Sequence, residues 1–280
     1  MTRSRHRRLT VAPETPSRSI PTDTEKWDPA STERAMGFIR PVIKRWFRSE
    51  ISGFSTFPLG AALVVGNHSG GVLAMDIPIF AIGFYEKFGY DRPLFSLGHD
   101  VLFQGPQADY LRRIGLLPAT RDNAADALRS GGVVQVFPGG SYDAYRSSAH
   151  ANTVDFKRRT GYVRTALEAG VPIVPVVSIG GQETQLFLTR GSGLARRLGL
   201  SKARFDILPI TVGVPFGASV LLPINLPLPS KITTRVLEPI DITAEFGADP
   251  DPAEVDIHVR RVMQTALDDM AAHRRFPVLG

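Results

Sequence analysis

The feature that most constrains the fold is a repeated alternation of short apolar strands with helical patterns. Apolar runs at 61–65, 93–97, 133–137 and 171–177 predict strands, and a helical pattern separates each run from the next. A connection that contains a helix joins parallel strands, and such a sheet is covered by helices on both faces. The sequence therefore predicts an α/β fold with a largely parallel or mixed central sheet flanked by helices, and a site in the loops that follow the strands.

The second half of the chain is less regular. Strands are predicted at 205–214 and 232–237, and a closing amphipathic helix at 251–273. The longest apolar segment, 207–228, contains four prolines, so we expect strands and turns or a surface-lying loop there rather than a membrane-spanning helix. Because no internal repeat and no second apolar core are visible, residues 57–280 are predicted to form one α/β domain.

The first 56 residues differ in character from the rest. Residues 1–28 combine prolines with Ser, Thr and charged side chains, which predicts a disordered basic arm. In 29–56, apolar residues that include Phe38 and Trp46 recur at helical spacing between basic residues, and Pro41 is expected to kink the helix. This amphipathic segment has two interpretations: it contacts a bilayer surface through Phe38 and Trp46, or it packs on its own domain.

Composition narrows the function classes. The chain has no cysteine, which excludes disulfides, thiolate metal sites and cysteine nucleophiles, and no two of its six histidines have the spacing of a helical metal site. We therefore predict no metal and no bound cofactor. A net charge of +6 favours anionic partners such as a phospholipid surface or a phosphorylated substrate, but no nucleic-acid-binding motif accompanies it. Without a secretory signal, we expect a cytoplasmic protein.

A histidine follows the first predicted strand of the domain. His68 lies in the glycine-rich turn Gly66-Asn67-His68-Ser69-Gly70-Gly71, where the absence of side chains leaves room for a substrate. Asp76, near the start of the next helix, is placed to accept the second ring N–H of His68, so that the imidazole acts as a general base. The alternative is structural: His68 caps a turn and Asp76 caps a helix.

The glycine-rich turns allow two other interpretations, a nucleotide-binding loop and the nucleophile turn of a serine esterase. The glycine spacing around His68 fits neither the phosphate loop of nucleotide hydrolases nor the dinucleotide-binding fingerprint. Neither Ser69 nor Ser141 stands at the third position of a Gly-x-Ser-x-Gly nucleophile elbow. Nucleotide hydrolysis is therefore disfavoured, and a serine esterase remains a weaker alternative.

Two further loops carry groups suited to anions. Arg121 follows a short predicted strand, and the loop 137–146 supplies the backbone of Gly139 and Gly140, the hydroxyl of Ser141 and the guanidinium of Arg146. A guanidinium grips a phosphate with two parallel hydrogen bonds, and glycine exposes its backbone N–H. The open alternative is that each arginine is an ordinary surface charge.

Taken in order, these segments resemble four blocks of the glycerolipid acyltransferase superfamily, which includes lysophospholipid and 1-acylglycerol-3-phosphate acyltransferases and, more distantly, diacylglycerol acyltransferases. His68 with Asp76 resembles the His–Asp block, 115–121 the Gly-to-Arg block, 137–141 the Pro-Glu-Gly block, and 161–176 a helix followed by the Val-Pro-Ile-x-Pro strand. The resemblance covers residues 63–177.

Two positions depart from the family pattern. Seven residues separate His68 from Asp76, more than in the family's block, so Asp100 is an alternative carboxylate. The third block reads Phe-Pro-Gly-Gly rather than Phe-Pro-Glu-Gly, as in the diacylglycerol-acyltransferase-type branch. The acceptor alcohol therefore cannot be carried over from the resemblance.

The resemblance implies transfer of a fatty acyl group to a lipid hydroxyl. His68 would take the hydroxyl proton while the oxygen attacks the thioester of acyl-CoA or an acyl carrier protein, and Gly139 or Gly140 would meet the oxyanion. Arg121 and Arg146 would hold the acceptor's phosphate or, with a neutral acceptor, the phosphates of CoA. The protein is then expected to lie peripherally on the anionic inner face of the cell membrane. A competing interpretation is a membrane-surface lipid-binding protein that keeps the fold without the chemistry.

Overall fold

The computed structural model describes residues 22–200, 206–276 and 278–279. Within them, seven strands form a main sheet in the order β1-β10-β6-β2-β5-β3-β4, and three form a small sheet in the order β7-β8-β9. In chain order the strands are β1 (Glu50–Ser52), β2 (Ala62–Gly66), β3 (Leu94–Gly98), β4 (Leu116–Pro118), β5 (Val133–Val136), β6 (Ile173–Ile179), β7 (Leu186–Thr189), β8 (Ile210–Gly213), β9 (Gly217–Val220) and β10 (Thr233–Val236).

The main sheet is parallel except at one junction. Strand β10 runs antiparallel to β6, and all other neighbouring strands pair in parallel. Every residue of the central strands β2 and β6 is buried, as expected for parallel strands covered on both faces. The carboxyl ends of β2, β5 and β6 consequently meet at one edge of the sheet, where the loops of residues 66–76, 137–146 and 180–185 follow them.

Helices cover both faces of this sheet. The α-helices of the described residues are α1 (Pro29–Pro41), α2 (Asp76–Phe88), α3 (Ala108–Arg113), α4 (Arg121–Arg129), α5 (Gly140–Ala144), α6 (Gly161–Ala169), α7 (Ser192–Arg197), α8 (Ile242–Phe246) and α9 (Pro252–His273). Helices α1 and α2 contribute to one core, and α4, α6 and α9 contribute to the other. Leu63 and Val65 of β2 lie in the second core, whereas Ala62 and Val64 lie in the first, because successive side chains of a strand point to opposite faces.

This architecture confirms the predicted fold class. Helix α6 begins at Gly161 and does not extend back over the basic residues that precede it. Lys157 and Arg158 adopt left-handed backbone angles, φ 53° and 57°, which a right-handed helix does not allow.

The amphipathic segment divides its apolar residues between two surfaces. Met36, Ile43 and Phe47 are buried in the core beside α2, whereas Phe38 and Trp46 are exposed. At Pro41 the α-helix gives way to a π-helical turn, Val42–Trp46, which accommodates the proline that was expected to kink the helix. The segment therefore packs on its own domain and also presents apolar side chains outward.

The predicted arm of residues 1–28 lies mostly outside the described residues. Residues 22–28, the described end of this segment, contact the domain. The backbone N–H of Asp28 donates to the carbonyl of Arg113 at 2.8 Å, and the Asp28 carboxylate caps α1 by accepting from the Ser31 N–H at 2.9 Å. Hydrogen bonding by the Ser31 side chain, and secondly by that N–H, lowers the pKa of Asp28.

In the part of the chain that the structure describes, no helix is both long enough and apolar enough to cross a bilayer.

Candidate active site

His68 lies two residues beyond the central strand β2, at the open edge of the sheet. The ring of Phe137, from the loop after β5, packs against its imidazole with the ring centroids 4.5 Å apart. Glycine is required at Gly66 because a Cβ there would lie 2.7 Å from the Phe137 ring. The His68 side chain is 16% exposed, so it faces neither bulk solvent nor a sealed core.

The structure brings His68 and Asp76 together. Nδ1 of His68 lies 3.2 Å from Oδ2 of Asp76, which is almost fully buried at the start of α2. The intervening residues turn back through Gly70 and Gly71, with φ 90° and 71°, and through the 3-10 turn Gly71–Leu73. This turn accommodates the long spacing between the two residues in the sequence.

The Asp76 carboxylate is held in place by the residue next to His68. The backbone N–H of Ser69 donates to it at 2.7 Å and the Ser69 hydroxyl at 3.1 Å. Because a carboxylate accepts hydrogen bonds, the Nδ1 atom of His68 carries the proton in this pair. The opposite ring nitrogen, Nε2, is then the one with a free lone pair and can accept a proton from a substrate hydroxyl.

A second carboxylate holds the backbone of His68. The His68 N–H donates at 2.6 Å to Asp143, which is fully buried in the loop after β5 and forms an ion pair with Arg146. Burial raises the pKa of the Asp143 carboxyl, whereas Arg146 and the His68 N–H act in the opposite direction.

Arg146 does not fit the predicted role of gripping a phosphate. Its side chain is 1% exposed, with Nη1 on Asp143 and Nε donating to the carbonyl of Ala151 at 2.8 Å. We predicted an anion-binding role for Arg146 because the sequence does not show that Asp143, three residues earlier, turns inward with it. Arg146 therefore supports the loop that supports His68.

Two amides connect the His68 loop to β6 and the loop that follows it. Asn67 exchanges two hydrogen bonds with the backbone of Ser178, at 2.8 and 2.9 Å. Gln182 accepts from the Gly70 N–H at 3.0 Å and donates to the carbonyl of Arg146. The loops after β2, β5 and β6 are thus joined by buried hydrogen bonds, which fix the position of the imidazole.

The two glycines after Pro138 differ in what their backbones offer. The N–H of Gly140 already donates to the carbonyl of Phe137 at 2.9 Å, which argues against Gly140 as the oxyanion donor. The backbone hydrogen bonds of the described residues include none from the N–H of Gly139. Gly139 also packs against Asp143, where an added Cβ would lie 2.3 Å from the Asp143 Cβ.

Two exposed arginines lie near this loop. Arg121, at the first position of α4, is exposed, and its Nη2 lies close to Gly161. Arg159, two residues before Gly161, donates to the carbonyls of Pro138 and Gly139 at 3.0 and 3.3 Å. The two residues, which we call the arginine pair, place one guanidinium group beside the Gly139 loop and the other beside Gly161, two residues after Arg159.

The other predicted site residues lie apart from the imidazole. Asp100 follows β3, which β5 separates from β2, and it forms no ion pair with His68 in the described residues. Ser69 is buried on Asp76, whereas Ser141 is exposed. Neither serine is hydrogen-bonded to an imidazole within the described part of the chain, so the esterase alternative lacks its nucleophile–base pair.

Sequence reasoning missed three residues that complete the site: Asp143, Arg159 and Gln182. The three-residue spacing of Asp143 and Arg146 is the spacing of a helical ion pair, which was a usable signal. Gln182 follows a fully buried strand, the position at which polar residues collect in parallel sheets. Arg159 stands in the basic run 157–159, which gave no signal beyond its charge.

Comparison with known proteins identifies the family. Residues 48–179 match the family model described as Acyltransferase, which spans β1 to β6 and includes both His68 and Asp76. A mouse "DGAT1/2-independent enzyme synthesizing storage lipids" is 26% identical over 69% of this chain and 56% of its own length. Human "2-acylglycerol O-acyltransferase 3" is 25% identical over 74% of this chain and 62% of its own length. This chain belongs to the glycerolipid acyltransferase superfamily.

A bacterial relative and a solved structure are also similar to this chain. An uncharacterized protein of Mycobacterium tuberculosis is 34% identical over 85% of this chain, which covers 66% of that relative. The crystal structure of the LPA acyltransferase PlsC from Thermotoga maritima superposes with a TM-score of 0.52 and 18% identity, covering 87% of this chain and 84% of that one. The likeness to PlsC shows a shared fold. The chain spans about two thirds or less of the curated relatives it matches.

Proposed function

We propose that this protein transfers a fatty acyl group from a thioester donor to the hydroxyl of a lipid alcohol, with His68 as general base. The observation that carries the proposal is the contact between His68 Nδ1 and Asp76 at the accessible end of the central strand. Membership of the superfamily supports acyl transfer as the reaction class.

The proposed reaction needs no covalent acyl-enzyme. Nε2 of His68 takes the proton of the acceptor hydroxyl as its oxygen bonds to the thioester carbonyl carbon. The tetrahedral intermediate then collapses, the carbon–sulfur bond breaks, and the departing thiolate takes the proton back from the imidazolium. The Gly139 N–H is our proposed oxyanion donor, a type of contact whose removal costs about 3–4 kcal/mol of transition-state stabilisation.

Asp76 controls which ring nitrogen of His68 is free, so its replacement is expected to impair the reaction. In Asp76→Asn the amide can donate to Nδ1, which favours the proton on Nε2 and blocks its function as a base. We expect kcat for thiol release to fall by about 10³-fold or more. The matched control is Asp100→Asn, the exposed carboxylate after β3, which should leave kcat unchanged. Equal losses in the two variants would contradict the assignment of Asp76.

Acyl-CoA is our proposed donor, with acyl carrier protein as the second candidate. The phosphates of CoA or of a phosphorylated acceptor suit the arginine pair, since the Arg159 guanidinium lies beside the Gly139 loop and the exposed Arg121 guanidinium lies beside Gly161. The sequence assigned Arg146 to this task; its burial leads us to propose Arg159 in its place.

Arg121→Ala and Arg159→Ala are expected to raise the KM of the phosphate-bearing substrate by about tenfold each, the loss of one charge-assisted contact. The matched control is Arg129→Ala at the other end of α4, where the arginine is exposed and paired with Asp126. The measurement is CoA release with lysophosphatidic acid, lysophospholipids, diacylglycerol and long-chain alcohols as acceptors. Release with none of them, from acyl-CoA or acyl carrier protein, would favour the lipid-binding protein without chemistry.

The proposed substrates reside in membranes, so we propose peripheral contact with an anionic membrane surface, on the inner face of the cell membrane. Exposed Phe38 and Trp46, beside basic residues of the same segment, support this contact. In this proposal the amphipathic segment contacts the bilayer through its exposed apolar side chains and supplies positive charge toward the anionic headgroups.

A further inference from the structure

A second apolar surface lies on the small sheet and on the loop that follows it. Residues 207–230 contain no charged side chain in 24 positions, although charged residues make up 21% of the chain. Phe216 and Leu226, in this segment, are 56% and 61% exposed. A surface stretch of this length without a charge is unusual for a face that contacts only water.

The segment is arranged with its polar side chains inward and its apolar side chains outward. Thr211 and Ser219 are buried and share a hydrogen bond of 3.0 Å between their hydroxyls. Buried Asn225 donates to the Ser219 hydroxyl at 3.3 Å and accepts from the Phe216 N–H at 3.0 Å. Strands that face lipid have this inverted pattern, because outward polar groups would lose their hydrogen bonds there.

The surface contacts the amphipathic segment that carries Trp46 and also the turn that carries His68. Trp46 donates its indole N–H to the carbonyl of Pro227 at 3.0 Å, which joins the amphipathic segment to the loop 214–228. On the other side, exposed Val72 of the His68–Asp76 turn lines a small cleft together with Leu221 and Ile224. A lipid held on this surface therefore lies next to the turn that carries the imidazole.

Exposed arginines lie in the elements that precede this surface or contact it through Trp46. Arg45 precedes Trp46, and Arg196 and Arg197 lie in α7, which connects β7 to the small sheet's next strand. All three are exposed, and none forms an ion pair with a described residue. Exposed arginines and an apolar patch together suit an anionic lipid headgroup layer. A two-fold contact between two copies would instead bring these like charges together.

We propose that residues 214–228, which we call the apolar loop, insert into the interface of a bilayer containing anionic phospholipid and deliver the lipid substrate to His68. The delivery step rests on the proposed function; the insertion does not. Apolar side chains enter the headgroup–acyl boundary while these arginines contact phosphates.

The test is co-sedimentation of the full chain with vesicles of phosphatidylcholine and phosphatidylglycerol. In Phe216→Glu/Leu226→Glu we expect the partition coefficient to fall by at least about tenfold, because two large side chains lose their burial in lipid. The matched control is Leu59→Glu, which replaces a 91% exposed leucine before β2, at the opposite end of that strand from His68. This variant should bind vesicles as the unmodified chain does.

Unchanged vesicle binding by the double variant would overturn the proposal, as would a concentration-dependent dimer that the double substitution abolishes without affecting vesicle binding. Circular dichroism should show that both variants keep the fold.

CoA release with a short-chain, water-soluble acceptor separates this proposal from the proposed function. The double variant should retain that release while losing release from vesicle-bound acceptor. Absence of release by the unmodified chain in both assays would contradict the proposed function and leave the sedimentation result valid.

Discussion

His68→Ala is expected to reduce CoA release by about 10³-fold, within the range that a positioned general base contributes. The physical reason is that the acceptor hydroxyl, with a pKa far above neutrality, is a poor nucleophile until Nε2 removes its proton. Asp76 and Asp143 hold the imidazole from its ring and from its backbone, so no neighbouring group can take its place without moving the loop.

The matched control for this substitution is His99→Ala. His99 is an exposed histidine after β3, and its ring accepts a local hydrogen bond from the Val101 N–H. We expect its removal to leave turnover unchanged. Vesicle binding should be intact in both variants. Near-normal CoA release by His68→Ala would refute the general-base assignment.

Arg146→Met is expected to lower the free energy of unfolding by about 3–5 kcal/mol, because it leaves the buried carboxylate of Asp143 without its partner. It also removes the hydrogen bond to the carbonyl of Ala151. Urea denaturation followed by circular dichroism measures the change. Arg129→Met breaks an exposed pair and should cost less than about 1 kcal/mol.

A second variant separates the effect of the buried Asp143 charge from that of the hydrogen bond between Asp143 and the His68 N–H. In Asp143→Asn/Arg146→Met the unpaired charge is gone, while the Asn carbonyl still accepts from the His68 N–H. Most of the lost stability should return. If Arg146→Met unfolds at the same urea concentration as the unmodified chain, the buried pair does not support the His68 loop as we describe.

The sequence predicted the central sheet well because its strands are buried on both faces. The apolar run of β2 and the mostly apolar segments of β5 and β6 are short and alternate with helical patterns, which favours covered strands. The small sheet was harder to predict, because the buried residues of β8 and β9 are the polar Thr211 and Ser219, whereas Val214 and Val220 are exposed. A prediction that takes the apolar residues of a strand as the buried ones gives the wrong faces for β8 and β9.

The candidate site was predictable where its residues follow strands and unpredictable where burial decides their role. The pairing of His68 with Asp76 was predicted because His68 lies in the turn after β2 and Asp76 lies at the start of α2. The burial of Arg146 was not predicted, since an arginine in a loop is ordinarily exposed and only the fold turns it toward Asp143. The contact of Asp28 with the domain was not predicted either, because it depends on Arg113, more than eighty residues away in the chain.

The most direct measurement of the central claim is the protonation of the two ring nitrogens of His68 by nitrogen-15 NMR, at a pH where the imidazole is neutral. We predict a proton on Nδ1 and a free lone pair on Nε2, and a shift of the proton toward Nε2 in Asp76→Asn. A proton on Nε2 in the unmodified chain would contradict the account, because that nitrogen could then take no proton from an alcohol.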